Sequence, residues 1–497
     1  MNEILIEKVN QVYVRVRCHL DQELELKSFL SCHVPNYMYH PKFRAKIWDG
    51  KVSFFNMQNK LLPVGLLPDF HRFCKQFGYK YRFDFDTSEL CNDVTIEQVE
   101  SFANGLMENT RYDPYDYQIE AVTNSIRNKR GVILSPTGSG KSLTIYMTIR
   151  LLLAQDPDRK IILIVPTTSL VEQMYSDFQD YGWLNIDYKV TKLYSGLKPD
   201  FRKSVLITTW QSIHRKQKIF FQKYGVLMVD ETHQAKALSI QSISKKCTEA
   251  EYRFGYTGTL PTNRSDLFNI HGYLGPVIFK QISKELIDRG ILSKIKIVNV
   301  LLKFPESVIQ KNRNRPYNEE EDTIINHVGR NKIFDLIFNN IPDGQNSLVL
   351  CRKIEHLKMI QEHLEHVLPD KYMIVNIYGK TKPEEREAIR HLMEKESNMI
   401  LVGTYATMST GVNIRKMHNV FFASSYKSKI KVLQAIGRGL RTHSSKEKVI
   451  IWDFVDDLTW KKRTGNIGHN HTYKHYLERL KYYEEQGFTF YNRKFQI

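Results

Sequence analysis

A chain of 497 residues is too long for one hydrophobic core, since single cores stop growing near ~250–300 residues, and its 42% apolar and 12% aromatic content is ample for packed domains. The formal charge of +18 and a pI near 9.3 point to an anionic partner, nucleic acid first, although a generally solvated basic surface has the same composition. No run approaches the ~18 apolar residues of a membrane span, which sets a membrane aside, no basic-then-apolar leader opens the chain, and six cysteines without a CxxC pair read as reduced thiols of a cytosolic protein.

Residues 1–90 read as an independent, basic α+β module. Strands are expected at Tyr13–Arg17, within Ile47–Phe55 and within Tyr79–Phe85, with a helix near Gln22–Leu30. The acidic stretch Asp84–Glu100 reads as a linker. Over 91–285 short apolar runs alternate with helical stretches: Val132–Leu134, Ile161–Val165, Val205–Thr208, Val226–Val229 and Phe254–Thr257. That alternation predicts a buried parallel sheet. Over 286–457 a second set follows, at Ser347–Leu350, Ile374–Ile377, Ile400–Val402, Val420–Ala423 and Val449–Trp452. Between the sets, Phe304–Asp322 is charge-rich and is expected to be a loop. Residues 458–497 are basic and aromatic and predict a short helical tail.

SerProThrGlySerGlyLysSer at 135–142 follows an apolar strand and opens a helix. Such a loop cradles phosphates with backbone N–H groups: Pro136, Thr137, Gly138, Ser139 and Gly140 form the cradle, Lys141 reaches the β/γ-phosphates and Ser142 holds Mg²⁺. Ser135 stands where the general pattern has Gly, a position that affects loop packing. AspGluThrHis at 230–233 places Asp230 at a strand end as the second metal ligand and Glu231 as the base for an attacking water. The pair also reads as a helix N-cap, but its place 89 residues after Lys141 in a strand–helix series disfavours that. Arg438 and Arg441, three apart in Gln434–Arg441, share a helix face. They are either surface charges or the arginines that neutralise a γ-phosphate, worth ~10³–10⁵ in rate.

This ordered set resembles that of the DExH-type superfamily 2 helicases, over residues 111–455. The segment Arg111–Gln118 is similar to their adenine-reading element, with Gln118 on the base and Tyr112 or Tyr115 stacking. Residues 135–142 resemble motif I, 165–170 motif Ia, 208–212 motif Ib, 230–233 motif II and 257–259 motif III; 348–353, 403–413 and 434–441 resemble motifs IV, V and VI. His233 in place of Asp, and ThrGlyThr in place of SerAlaThr, set the chain apart from DEAD-box RNA helicases. The resemblance implies two tandem RecA-like domains, ATP and Mg²⁺ as cofactors, nucleotide contacts from Gly411 and Asn413, and a backbone-tracking groove lined by Thr167, Ser169, Thr209, Gln211 and Thr404. Simple strand-end capping by those hydroxyls and amides is the alternative.

More narrowly, the whole chain is similar to the recombination and repair helicases of T-even bacteriophages. That implies a monomeric ATP-driven motor on branched or forked DNA, with R-loop RNA–DNA hybrids as further substrates, in the infected host's cytoplasm. A restriction-system motor subunit and an RNA helicase share the motifs and remain alternatives, as does a clamp that no longer hydrolyses nucleotide. In the first module, Lys42, Arg44, Lys46 and Lys51 interleave with aromatics around Trp48. They form either a duplex grip with a stacking tryptophan or a strand with one basic solvated face.

Overall fold

The computed structural model describes every residue except 1–2, 234–236, 409–413, 441–442 and 463, and the side chains at 237, 238, 240, 383 and 438 are also left undescribed. The chain divides into two units, Met1–Ser135 with Gly140–Gln281 and Ile282–Ile497 with Pro136–Ser139.

Alternation in Tyr13–Arg17 buries Val14 and Val16, as period-2 patterning requires. This strand is antiparallel to Glu3–Lys8 and to Leu61–Pro63, while Glu3–Lys8 runs parallel to Lys80–Phe83. The helices Leu20–Phe29 and Leu67–Phe77 supply Leu26, Phe70 and Phe73 to the core of this sheet.

Two expectations for this module are qualified. Its core is not closed on itself: Phe268, from the helix Arg264–Leu274 of the next domain, belongs to it and meets Phe54 edge-on at 5.3 Å. Gln11 N donates to Thr248 O at 3.1 Å, and Arg130 Nη2 donates to Gln11 O at 3.2 Å. Gly65 allows the approach, because a Cβ there would run into the His271 carbonyl. The strand expected within 47–55 is short. Only Lys51–Ser53 pairs, with Ser31–His33, and the intervening residues form the helical turns Tyr37–Tyr39 and Pro41–Arg44. Asn36 at φ 59° and Pro41 break the extended backbone. The strand face expected for the basic cluster is absent.

The first large sheet has seven parallel strands in the order Val277–Lys280, Arg130–Leu134, Tyr252–Thr257, Val226–Asp230, Ile161–Val165, Val205–Thr209 and Val190–Leu193. The central Ile161–Val165 is buried at every residue, which is why it reads as an unbroken apolar run. The second sheet, also parallel, runs Met373–Ile377, Met399–Thr404, Ser347–Cys351, Asn419–Phe422, Lys448–Asp457, Lys294–Lys303 and Phe490–Gln496. These are two tandem RecA-like domains behind a small α+β module.

The stretch expected to be a loop after Phe304 instead forms helices Glu306–Asn312 and Tyr317–Ile325. Glu320 and Glu321 take two of its buried positions beside Ile309 and Asn312, so the apolar period is weakened. Glu321 accepts from Arg352 Nε at 2.6 Å, and Glu320 accepts from His471 N at 2.9 Å. The tail contains the expected helix, His471–Glu485, and then adds the edge strand Phe490–Gln496. No helix among the described residues is long and apolar enough to cross a membrane. All six cysteines are free, four of them buried.

Candidate active site

Parallel register brings three loops to one edge of the first sheet. Leu134 pairs with Thr257, and Asp230 pairs with Tyr256. The segments that follow these strands therefore leave the sheet side by side at its carboxyl edge, where open parallel sheets bind ligands. Ser135 N donates to Thr257 O at 2.9 Å and ties the start of the P-loop to ThrGlyThr.

The helix Lys141–Gln155 begins at Gly140, whose φ of 78° is left-handed. The missing Cβ leaves room for the Gln118 amide. Gln118 Nε2 donates to Gly140 O at 3.3 Å, and its Oε1 accepts from Tyr115 N at 3.0 Å. The first N–H groups of this 15-residue helix make an anion site, strengthened by the helix dipole. Lys141 Nζ donates to Ser135 O at 3.1 Å, and Ser139 Oγ donates to Pro136 O at 2.8 Å. Tyr112 meets Tyr181 edge-on at 4.9 Å, while Tyr115 is exposed and stacked on Tyr117.

Across from the loop, burial pushes the Asp230 carboxyl above the usual carboxylate range, and the neighbouring Glu231 adds to this. The Lys141 ammonium pulls the other way. Ser142 and Asp230 offer hard oxygens of the kind Mg²⁺ takes beside substrate phosphates, and a cation there would relieve the buried charge. Among the described residues no three His, Cys, Asp or Glu side chains gather as metal ligands. Glu231 Oε2 is buried without a hydrogen-bond partner, 3.4 Å from His233 Nδ1.

Two participants were not legible in the sequence. Tyr181 OH lies 2.7 Å from Ser142 Oγ and occupies the hydroxyl assigned to the metal. His233 Nδ1 lies 2.5 Å from Thr257 Oγ1, which joins motif II to motif III. His233 is the residue that sets DExH apart from DEAD, and that departure was the available signal.

The five groove residues divide. Thr167 Oγ1 accepts from Leu170 N at 3.3 Å as a helix cap. Thr209 Oγ1 pairs with Ser212 Oγ at 2.9 Å, and Thr404 Oγ1 pairs with Thr407 Oγ1 at 2.8 Å, both buried. Ser169 and Gln211 are exposed. Thr209 pairs in register with Val165, so the motif Ia and Ib segments emerge from adjacent strands. Lys42, Arg44 and Lys46 on the 34–50 excursion, and Lys51 at the start of the strand that follows, are exposed, with Tyr39 69% and Ile47 77% exposed beside them. Trp48 is half-buried: its Nε1 donates to Lys51 O at 2.7 Å and its ring meets His40 edge-on. In the second unit, Arg438 lies in the helix Lys429–Gly439. Its side chain, together with Gly411, Asn413 and Arg441, lies outside the described residues.

A parallel sheet with a P-loop at its carboxyl edge, followed by a second parallel sheet without one, defines a two-domain, ATP-hydrolysing helicase. The family profile described as type III restriction enzyme, res subunit, matches residues 111–262, the helicase conserved C-terminal domain matches 330–443, and the DNA helicase UvsW N-terminal domain matches 4–84. The ATP-dependent DNA helicase UvsW of Enterobacteria phage T4 is 30% identical over 494 residues, 96% of each chain. Its crystal structure superposes with a TM-score of 0.52 at 28% identity, covering 99% of both chains. A type I restriction endonuclease subunit of Escherichia coli, EcoAI, is 24% identical over 71% of this chain but only 46% of its own. The chain belongs to the UvsW family of ATP-dependent DNA helicases. The restriction matches cover the shared motor.

Proposed function

We propose that this helicase remodels branched DNA, namely forks, four-way junctions, D-loops and R-loop hybrids, in recombination, fork rescue and repair. The observation that carries the reading is the exposed basic and aromatic excursion at 34–50. It sits on a module (residues 1–90) whose core is shared with the helix that follows motif III. A grip on the duplex is thereby built into the ATPase body. The relationship to the ATP-dependent DNA helicase of phage T4 supports DNA as the substrate, and the protein is proposed to work as a monomer in the cytoplasm of an infected bacterium.

For the hydrolytic step, the P-loop amides and Lys141 bind the ATP phosphates, while Gln118 and Tyr112 hold the base. Gly411 and Asn413 contact the nucleotide from motif V. Ser142 and Asp230 would hold Mg²⁺, which would neutralise phosphate charge. Where Tyr181 OH is the donor to Ser142 Oγ, it would compete with the cation for that oxygen. Glu231, whose Oε2 is buried without a hydrogen-bond partner, accepts the proton of the attacking water. Arg438 and Arg441 neutralise charge that develops in the transition state. Thr167, Ser169, Thr209, Gln211 and Thr404 track the DNA backbone without reading sequence.

The deciding measurement is the ATPase rate against single-stranded, duplex, forked and four-way DNA and against RNA. Greatest stimulation by forked or four-way DNA is expected. Equal stimulation by linear duplex, or stronger stimulation by RNA, would remove the branched-substrate reading.

A further inference from the structure

The tail helix His471–Glu485 is held by buried polar contacts, and its own polar side chains then grip one short segment. Its first turn is capped by Glu320, 1% exposed, which accepts from His471 N at 2.9 Å and from Thr472 N and Oγ1 at 2.8 and 2.9 Å. Midway along, Arg479 is 1% exposed and forms a two-pronged pair with Asp453, Nε to Oδ2 at 2.9 Å and Nη2 to Oδ1 at 2.8 Å. Tyr483 OH donates to the same carboxylate at 2.7 Å. This leaves Arg479 Nη1, which donates to Ser425 Oγ at 3.0 Å and to Tyr426 O at 3.3 Å. One turn on, Tyr482 OH donates to Lys427 O at 3.2 Å, and Glu485 pairs with Lys429.

Ser425, Tyr426, Lys427 and Lys429 are thus all held by a single helix. They lead directly into the helix Lys429–Gly439, whose N-cap Ser428 makes no side-chain capping bond. That helix carries Arg438. A helix that only covered a sheet would need apolar contact alone. This one instead pairs a fully buried guanidinium with Asp453 of the sheet and turns its remaining Nη1 on the segment before motif VI.

We infer that Arg479 is a positioning residue for hydrolysis, and that the tail helix, through Arg479, Tyr482 and Glu485, sets the angle of the motif VI helix. The inference rests on the reading of Arg438 as a hydrolysis arginine. Arg438 lies ~13 Å along the helix axis from Lys429 at 1.5 Å per residue. A tilt of about 5° at the held end therefore moves it by about 1 Å, a displacement that can cost ~10²-fold in rate.

The test compares steady-state ATP turnover of the full chain at saturating forked DNA in four variants. Arg438→Ala is the reference and is expected to collapse kcat. The double variant Tyr482→Phe with Glu485→Gln removes only a hydrogen bond and a surface ion pair. It should keep the wild-type thermal midpoint, KM for ATP and DNA affinity while kcat falls roughly three- to tenfold. Arg479→Lys keeps the charge but loses the fork geometry, and should lower kcat further with KM unchanged. Adding the double variant to Arg438→Ala should cost nothing more, because both act through one group.

If Arg438→Ala turns over normally, the motif VI reading is what fails. If Arg438→Ala collapses while the double variant, folded, hydrolyses at the wild-type kcat, the positioning role is overturned. Additive losses in the combined variant overturn it equally. Should Arg479→Lys not fold, the double variant decides alone.

Discussion

Lys141 opens the helix Lys141–Gln155, and its charge acts on the buried Asp230 carboxyl. Its ammonium rests on the Ser135 carbonyl, at the half-buried mouth of the P-loop. Lys141→Ala should lower ATP turnover by ~10²–10³-fold, the range for removing one electrostatic partner of developing charge, with an unchanged thermal midpoint. Turnover within tenfold of wild type would mean that another group holds the phosphates. Tyr181 gives a prediction of the opposite sign. Its hydroxyl competes for Ser142 Oγ, while its ring packs on Tyr112 and Tyr146 and survives in Tyr181→Phe. The variant should reach half-maximal turnover at ~2–10-fold lower Mg²⁺, the equivalent of one net hydrogen bond. A magnesium titration of ATPase activity reads this directly, and an unchanged midpoint would show that Tyr181 does not gate the hydroxyl.

Single carboxylates and loops decide the fate of whole elements. Glu320 satisfies the first N–H groups of the tail helix from within the second unit. Glu320→Ala orphans those donors at about 1–3 kcal/mol each. Limited proteolysis should then cleave first near residue 470, and cleavage elsewhere would place the weak point outside the tail. In the first module, Trp48 is tied down by Lys51 O and His40. It shapes the excursion, and the exposed charges around it are the free binding groups. Neutralising Lys42, Arg44, Lys46 and Lys51 together should lower the slope of log K against log salt by ~0.9 for each duplex phosphate that the variant no longer neutralises. An unchanged slope on forked DNA would make the excursion mere solvated surface.

For the whole molecule, the ATP-site residues all lie beyond residue 111, and on sequence grounds a chain beginning near residue 100 ought to keep nucleotide binding. The shared core changes that expectation. Removing the module strips the cover from Phe268 and takes away the partners of Thr248 and Arg130. The truncated chain should therefore be aggregation-prone. In the full chain, Phe268→Ala should destabilise the first unit by ~3–5 kcal/mol, as for other large-to-small core changes. Thermal unfolding of both proteins tests this. A truncated chain with wild-type stability would return the module to independence.

The residues by themselves determined the two parallel sheets, the order of the motifs and the chemistry of the P-loop. Strands buried on both faces write continuous apolar runs such as Ile161–Val165, and a phosphate cradle needs its glycines, lysine and hydroxyl within a few consecutive residues. Tertiary structure alone decided what depends on partners distant along the chain. Ser142 meets Tyr181, His233 meets Thr257, and Phe268 enters the core of the first module. Glu320 and Arg479 look like surface charges in sequence and are nearly inaccessible in the fold. A charge is buried only where a partner far along the chain satisfies it, and no local pattern records where that partner is. The same holds for Phe490–Gln496, whose largely exposed side chains carry no alternating apolar pattern. Its place was set by backbone pairing with Lys294–Lys303 at the edge of the second sheet.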